Sequence, residues 1–217
     1  MKIQAHHYVI IGLLILCSIL LGLNYTSGNK VSKESKGENE VKEIGNNAIE
    51  IIMDRTSIRS YTDEPVSEEH IDKILKAGMA APTAANKQPW AFIVVTDREK
   101  LDALAGQLPY AKMLSQAPAA IVVCGVPELG LEGIENQYWV QDCSAASQNI
   151  LLAIHDLGLG GVWTGAYPMK EREKAVREIL EIPKNIIPLN VIAFGHPDKD
   201  YKPRDKYRPE RIHYNKW

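Results

Sequence analysis

The sequence is poor in cysteine and in net charge, and each shortage excludes a class of protein. Three cysteines, Cys17, Cys124 and Cys143, occur among 217 residues without a C-x-x-C pair, which argues against a disulfide framework and a zinc site. The formal net charge is −2, whereas proteins that bind nucleic acid electrostatically carry a strongly basic domain. We therefore expect buried, inert thiols, no metal site and no nucleic-acid partner.

The common catalytic and nucleotide-binding motifs are also missing. The sequence contains no G-x-x-x-x-G-K-[ST], H-E-x-x-H or G-x-S-x-G. The glycine-rich run at 158–163 fails the dinucleotide fingerprint because its sixth residue is Trp163. Any nicotinamide chemistry therefore has to proceed without a Rossmann site, and nothing in the sequence selects NADH over NADPH.

One long hydrophobic run is present near the N-terminus. Residues 8–23 carry no charge over sixteen positions, which is longer than most signal-peptide cores and slightly short of a standard membrane span. No A-x-A-like cleavage site follows it. We expect residues 1–23 to be a signal anchor that gives the protein a membrane localisation, with a cleaved signal peptide or a buried core helix as alternatives. Lysines on both sides leave the orientation open.

Two further regions follow the hydrophobic run. Residues 24–47 are polar and have the composition of a flexible linker. Residues 48–217 have room for one sizeable core and end in an extended, basic arm. Their patterns alternate without strict β-α-β order, which favours an α+β fold with a sheet flanked by helices. The patterns predict helices at 48–54, 68–79 (with Ser67 as N-cap), 97–105 (with Thr96 as N-cap), 135–157 and 171–180, and strands at 91–95, 119–124, 160–163 and 189–194.

Four polar segments carry more chemistry than connections need. Residues 55–59 (R-T-S-I-R) hold two guanidiniums and two hydroxyls, which suit a phosphate or the carbonyl edge of a ring. The amides of Asn86 and Gln88 can meet the edge of a heterocycle. Gly165 lets backbone N–H groups approach a flat ligand, and residues 204–206 (R-D-K) form a cationic pair suited to phosphate. Each segment by itself also fits an ordinary turn or charged tail.

Together and in this order, the four segments resemble the nitroreductase family of FMN-dependent oxidoreductases. The resemblance covers residues 48–217. It implies an intertwined homodimer with two FMN sites at the subunit interface. It also implies a ping-pong reaction, in which NADH or NADPH reduces FMN and an electron-poor acceptor (nitroaromatic, quinone or flavin) then takes the electrons. Because the cofactor carries the hard chemistry, no side chain is expected to be a catalytic acid or base.

The resemblance assigns one group of residues to the FMN phosphate. Arg55 and Ser57, with Thr56 on the same loop, would hold the phosphate and the ribityl end. Arg204 and Lys206 would neutralise the phosphate from the C-terminal side. Family members often carry a second basic residue where this chain has Thr56, so the phosphate would be held with one charge fewer.

A second group is assigned to the flavin ring. Arg59 would lie at the N1–C2 carbonyl edge, where a cation favours the negative charge that builds up on reduction. Thr164 and Gly165 would place a backbone N–H near flavin N5. The partner subunit would add the loop before the first strand, represented by Pro82, Thr83, Ala84, Asn86 and Gln88.

Two other functions stay open at this point. A membrane anchor fits a flavin-binding storage or electron-transfer protein at the membrane, because a diffusible substrate does not require one. An anchor ahead of such a domain also resembles the iodotyrosine deiodinases, which carry an additional substrate lid. Residues 104–118 leave no room for that lid, so deiodination is the weaker alternative. The sequence names neither the acceptor nor the side of the membrane.

Overall fold

The computed structural model describes residues 44–217, with side chains from residue 48, so the hydrophobic run at 8–23 and most of the predicted linker lie outside the described residues. The helices are α1 (Ile44–Asp54), α2 (Glu68–Met79), α3 (Arg98–Gln107), α4 (Trp139–Asp156) and α5 (Lys170–Leu180). The strands are β1 (Trp90–Val95), β2 (Ala119–Gly125), β3 (Gly160–Gly165) and β4 (Ile187–Gly195).

The four strands form one antiparallel sheet in the order β1-β2-β4-β3. The central strands are buried on both faces, and their side chains alternate between two hydrophobic clusters. On β2, for example, Val122 belongs to the cluster that contains Leu101 of α3 and Val176 of α5, whereas Val123 belongs to the cluster that contains Ile150 of α4. Helices thus cover both faces of the sheet, and β1 and β3 form its edges.

The predicted α+β fold is confirmed, and three predicted helix starts are corrected. Helix α1 begins at Ile44 rather than at residue 48, so it extends into the segment predicted to be a linker. The N-cap of α3 is Asp97 rather than Thr96, because the Asp97 carboxylate accepts from the N–H groups of Glu99 at 2.8 Å and Lys100 at 3.3 Å. Helix α4 begins at Trp139, since the preceding residues Gly133–Tyr138 form 3₁₀ turns that open on a glycine with φ of 64°.

The predicted membrane localisation is also corrected. No helix within residues 44–217 is long and apolar enough to cross a membrane. The segment at 8–23 that carried the prediction lies outside the described residues. The described residues therefore give no support to the predicted membrane localisation.

Candidate functional site

The loop 55–59 is held against edge strand β3 by backbone contacts. Ser57 forms an isolated parallel bridge with Gly161, and the Ile58 N–H donates to the Gly161 carbonyl at 3.1 Å. This approach requires a glycine at position 160, because a Cβ there would lie 2.6 Å from the Cβ of Ile58. The cationic loop is therefore fixed beside the strand that ends in the predicted flavin contact.

Tyr61 connects the same loop to the sheet through its side-chain hydroxyl. Its buried hydroxyl lies 2.7 Å from the carbonyl oxygen of Ile58, to which it donates, and 3.2 Å from the carbonyl oxygen of Ala193. Burial raises the pKa of Tyr61 well above its usual range, and the positive charge of Arg59 opposes that shift. The Tyr61 hydroxyl is consequently a structural donor that joins the loop to the centre of the sheet.

A second connection ties the loop to the segment after β4. The Ser60 and Tyr201 hydroxyls each donate to the Asp198 carboxylate at 2.8 Å. These two hydrogen bonds lower the pKa of Asp198, so the carboxylate stays ionised as the acceptor of both. The loop is thereby connected to the start of the C-terminal arm.

Side chains along the loop alternate between two sides. Thr56 and Ile58 line one cavity of about 400 Å³, together with Tyr201, whereas Arg59 lines a different cavity of about 220 Å³. Alternation of this kind is typical of extended backbone. It places Thr56 away from Arg59, although the sequence pattern grouped them on one loop.

The smaller cavity, called the cationic cavity below, lies at the end of β3. A Cβ on Gly165 would meet no atom within 4 Å, so the backbone at this position is open toward a ligand. Among the described residues that line the cavity, two are arginines and none is acidic. The lining consists of Arg59, Pro109, Tyr110, Met113, Val162, Trp163, Thr164, Gly165 and Arg172.

The arginines of this region lack acidic partners. Within residues 48–217, no salt bridge involves Arg55, Arg59 or Arg172. Guanidiniums without a carboxylate partner, two of them in the cavity beside Gly165, suit a ligand that has an anionic group and a flat ring with an acceptor edge. FMN carries both features, so these residues fit the cofactor that the sequence predicts.

The loop before β1, residues 82–88, is anchored by its backbone and presents its amides outward. The Ala84 N–H donates to the buried carboxylate of Asp142 at 2.9 Å, and the Gln88 N–H donates to the Thr83 hydroxyl at 3.1 Å. The side-chain amide of Gln88 donates to that of Asn86 at 3.2 Å, and both side chains are exposed. Positive φ angles at Ala85, Asn86 and Gln88 show a strained backbone of the kind found in ligand-binding loops.

One chain does not bring all predicted residues together. The loop 82–88 leads into β1, and the cationic cavity adjoins β3, so three strand spacings, about 14 Å, separate the two edges. Arg204 and Lys206 lie in the exposed arm, without a recorded hydrogen bond or salt bridge to the loop 55–59 among the described residues. The residues that do converge are Arg59, Thr164 and Gly165.

Sequence reasoning missed three residues of this region. Asp142 was detectable, because an acidic residue in a helix of small and apolar residues is an uncommon position that needs a partner. Tyr61 and Arg172 carried no such signal, since the positions of a loop tyrosine and a helix arginine depend on tertiary packing.

The cysteines agree with the prediction of inert thiols. Cys124 and Cys143 are both buried and free. Burial raises the pKa of each thiol to about 12, so neither forms a thiolate near neutral pH. Cys17 lies outside the described residues.

The geometry defines the class of protein. It is an α+β protein with the cationic cavity at one edge of an antiparallel sheet and a loop that carries side-chain amides at the other edge. The sequence matches the model of the family described as "Nitroreductase family" over residues 52–107 and 104–196. The chain belongs to the nitroreductase family.

Three relatives illustrate the match. A provisionally named NADH dehydrogenase/NAD(P)H nitroreductase of Archaeoglobus fulgidus is 51% identical over 172 residues, which cover 78% of this chain and 98% of that protein. A solved structure of the same name from Bacteroides thetaiotaomicron is 49% identical, with a TM-score of 0.76 over 80% of this chain and 99% of its own. A provisionally assigned nitroreductase from Desulfovibrio desulfuricans, solved with FMN, is 32% identical, with a TM-score of 0.67 over 79% of this chain and 98% of its own.

These comparisons confirm the predicted family, the nitroreductase fold, the FMN and NAD(P)H cofactors and the class of enzyme. They do not support the predicted anchor, because the Archaeoglobus protein is matched over nearly its whole length by only part of this chain. The individual site residues stay predictions.

Proposed function

We propose that this chain is an NAD(P)H-dependent reductase that holds FMN at the cationic cavity and reduces electron-poor acceptors such as nitroaromatics, quinones or free flavins. The observation that carries the proposal is the convergence of Arg59, Thr164 and Gly165 on one cavity whose described lining includes no acidic residue. Family membership supports the same conclusion, since FMN is bound in a relative of matching fold.

The loop 55–59 and the arm would hold the phosphate end of FMN. Arg55 is half-buried where α1 ends, and its backbone N–H still donates to Ile51 at 3.1 Å, so its guanidinium starts from a fixed backbone. Ser57 is fixed beside Gly161. Arg204 and Lys206, both exposed, would complete the phosphate site when the arm folds over it.

The cationic cavity would hold the ring. Arg59 would lie at the carbonyl edge, where its charge stabilises the negative charge that reduction places on the ring. The open backbone at Gly165 and the buried Thr164 hydroxyl would meet the central part of the ring. Thr56, which lines the other cavity, is the weakest of the predicted contacts.

The remaining contacts would come from a second copy of the chain in a homodimer. The exposed amides of Asn86 and Gln88 stand at the sheet edge opposite the cavity, which is too far for them to reach a ring at β3 of their own chain. The arm is exposed throughout residues 202–217 and ends in Trp217, which is 98% exposed. Exposed aromatic residues in such a tail fit a subunit interface.

When bound, FMN supplies the two-electron chemistry that links NAD(P)H to the acceptor in ping-pong order. The protein supplies position and electrostatics. Arg59 provides a fixed cation, and the backbone of β3 provides donors. Tyr61 has a buried hydroxyl near the site with a raised pKa, but this hydroxyl already donates to the carbonyl oxygen of Ile58, so no side chain is assigned as an acid or base.

The test is an absorbance spectrum of the purified protein followed by anaerobic stopped-flow mixing with NADH and with NADPH. We expect a flavin spectrum that bleaches with at least one nucleotide and returns when a quinone is added. The double variant Arg55→Ala/Arg204→Ala should lose most bound flavin. Lys76→Ala/Lys174→Ala, which removes two exposed helical lysines, should keep it.

Colourless protein that binds no added FMN would contradict the proposal. A flavin spectrum that neither nucleotide bleaches would instead favour a storage or electron-transfer role, for which the described residues offer no specific observation.

A further inference from the structure

Arg172 is the second guanidinium of the cationic cavity, and the assignments above give it no role. It is the third residue of α5 and is half-buried. Its Nη1 donates to the carbonyl oxygen of Gly165 at 3.3 Å. That contact engages one of the five N–H groups of a guanidinium, so most of its donor fork remains for a ligand.

Arg177 on the same helix shows how a structural arginine is placed in this fold. Its Nη1 donates to the carbonyl oxygens of Ile182, at 3.3 Å, and Pro183. It therefore completes the C-terminal end of α5, where the helix dipole favours a cation. Arg172 lies in the first turn, where the dipole disfavours a cation, so helix stability does not explain its position.

The acidic residues next to Arg172 in the sequence do not neutralise it. Glu173 is buried and pairs with Lys170 at 3.4 Å, and Glu171 is exposed. Neither of them lines the cationic cavity. The cavity thus keeps a positive charge next to Gly165 that no described carboxylate offsets.

Tyr110 forms a solvent-exposed part of the cavity lining. This side chain is 85% exposed and its backbone has a positive φ of 65°, so a strained turn holds an aromatic ring at the outer wall. An aromatic wall suits a flat molecule that stacks on it. A substrate that enters here meets Tyr110 at the outside and Arg172 deeper in.

We propose that Arg172 is a specificity-determining residue that binds an anionic group, a carboxylate or a phosphate, on a substrate entering the cationic cavity. The inference rests on the proposed function, because it needs Arg59 to be engaged by the flavin. Two substrates can bring such a group: an acceptor that carries a carboxylate, and the nicotinamide nucleotide with its phosphates. In either case a charged substrate is preferred over a neutral one with the same reacting group.

The test compares matched charged and neutral substrates in each half of the reaction. For the acceptor the pair is 4-nitrobenzoate and 4-nitrobenzamide. For the donor the pair is NADH and 1-benzyl-1,4-dihydronicotinamide. Arg172→Gln should lower the charged-over-neutral ratio of kcat/KM about tenfold, which corresponds to about 1.4 kcal/mol. The decrease is expected for the substrate pair whose anionic group binds Arg172, either the acceptor pair or the donor pair. Arg172→Lys should keep most of the ratio, since it keeps the charge.

A measurement without turnover accompanies the kinetics. Benzoate should perturb the flavin spectrum of the wild type at lower concentration than benzamide if the acceptor arm applies, and Arg172→Gln should remove that difference. Lys174→Gln makes the same charge change on an exposed position of α5 and should leave all ratios at the wild-type value.

Unchanged ratios in both arms for Arg172→Gln overturn the inference. Equal losses with all four substrates, or elution of the variant as a monomer, also overturn it, because they assign Arg172 to structure or to the dimer. A wild type without flavin, or one that reduces neither acceptor, contradicts the proposed function itself and is thereby distinguished from failure of this inference.

Discussion

The loops 55–59 and 82–88 are both anchored to the protein, but only the first places a predicted FMN-binding side chain in a cavity of its own chain. The first is bonded to Gly161 and Tyr61, and its Arg59 shares a cavity with residues of β3. The second is bonded to Asp142, yet it presents Asn86 and Gln88 to solvent at the far edge of the sheet.

The difference is what we expect of a site that is incomplete within one protomer. In each loop a backbone N–H donates to an acceptor in the body of the protein, from Ile58 to Gly161 and from Ala84 to Asp142, so both loops are anchored. The first loop lines a cavity of its own chain. The second loop has strained φ angles, and within the described residues the side chains of Asn86 and Gln88 hydrogen-bond only to each other. The proposed homodimer, in which a second copy brings the far edge to the cavity, would account for both.

The largest effect is expected from breaking the first loop at its contact with β3. Gly160→Ala places a Cβ against Ile58, so the loop must move away. We expect a loss of bound flavin and a decrease of about 1–3 kcal/mol in the free energy of unfolding, measured by urea denaturation. Gly106→Ala in α3 is the control, since its Cβ meets nothing within 4 Å and should be neutral or stabilising. Wild-type flavin content in Gly160→Ala would show that the close contact is not needed.

The second loop is tested by removing its buried anchor. Asp142→Ala leaves the Ala84 N–H without its acceptor, and we expect a decrease of about 1–2 kcal/mol in the free energy of unfolding together with weaker FMN binding. Asp142→Asn retains an acceptor oxygen, so its free energy of unfolding and its FMN affinity should lie between those of Asp142→Ala and the wild type. If Asp142→Ala binds FMN as the wild type does, the loop 82–88 does not belong to the site.

The first loop also predicts a division between its two arginines. Arg55→Ala should weaken the binding of oxidised FMN by about tenfold, or 1.4 kcal/mol, because a phosphate is charged in every state. Arg59→Ala should mainly make the reduction potential more negative, by about 30 mV for a similar energy in a two-electron couple. Flavin titrations and equilibrium redox titrations of both variants check this. Equal losses of flavin in the two variants would remove the distinction.

Much of the fold followed from local patterns, and the site followed in part. The strands were predictable because β2 is a continuous apolar run and β4 is apolar apart from Asn190. The N-cap at Ser67 is confirmed by its hydroxyl, which accepts a hydrogen bond from the His70 N–H at 3.2 Å. The N-cap at Thr96 was wrong because Asp97 is the better-placed acceptor. Hydrophobicity alone suggested a membrane location, which no described helix supports.

The site itself depended on information that a single sequence does not hold. The spacing of 55–59 indicated a phosphate or flavin contact but not the alternation that puts Thr56 in a different cavity from Arg59. Arg172 lies only seven residues after Gly165, but its contact with the Gly165 carbonyl oxygen depends on the path that the chain takes between β3 and α5. Which residues meet at a sheet edge or between subunits depends on tertiary and quaternary structure, so local sequence patterns do not predict these contacts.

The most direct test of the two-chain site is complementation between two inactive variants. Arg55→Ala/Arg59→Ala damages the first loop, and Asn86→Ala/Gln88→Ala damages the second. If each site combines the first loop of one chain with the second loop of the other, a mixed dimer contains one intact site. Unfolding and refolding the two variants together should then restore about a quarter of the wild-type activity and flavin content, since half of the dimers are mixed and each has one of two sites. No recovery above the separate variants would contradict the account, because it would mean that both loops serve the same site within one chain.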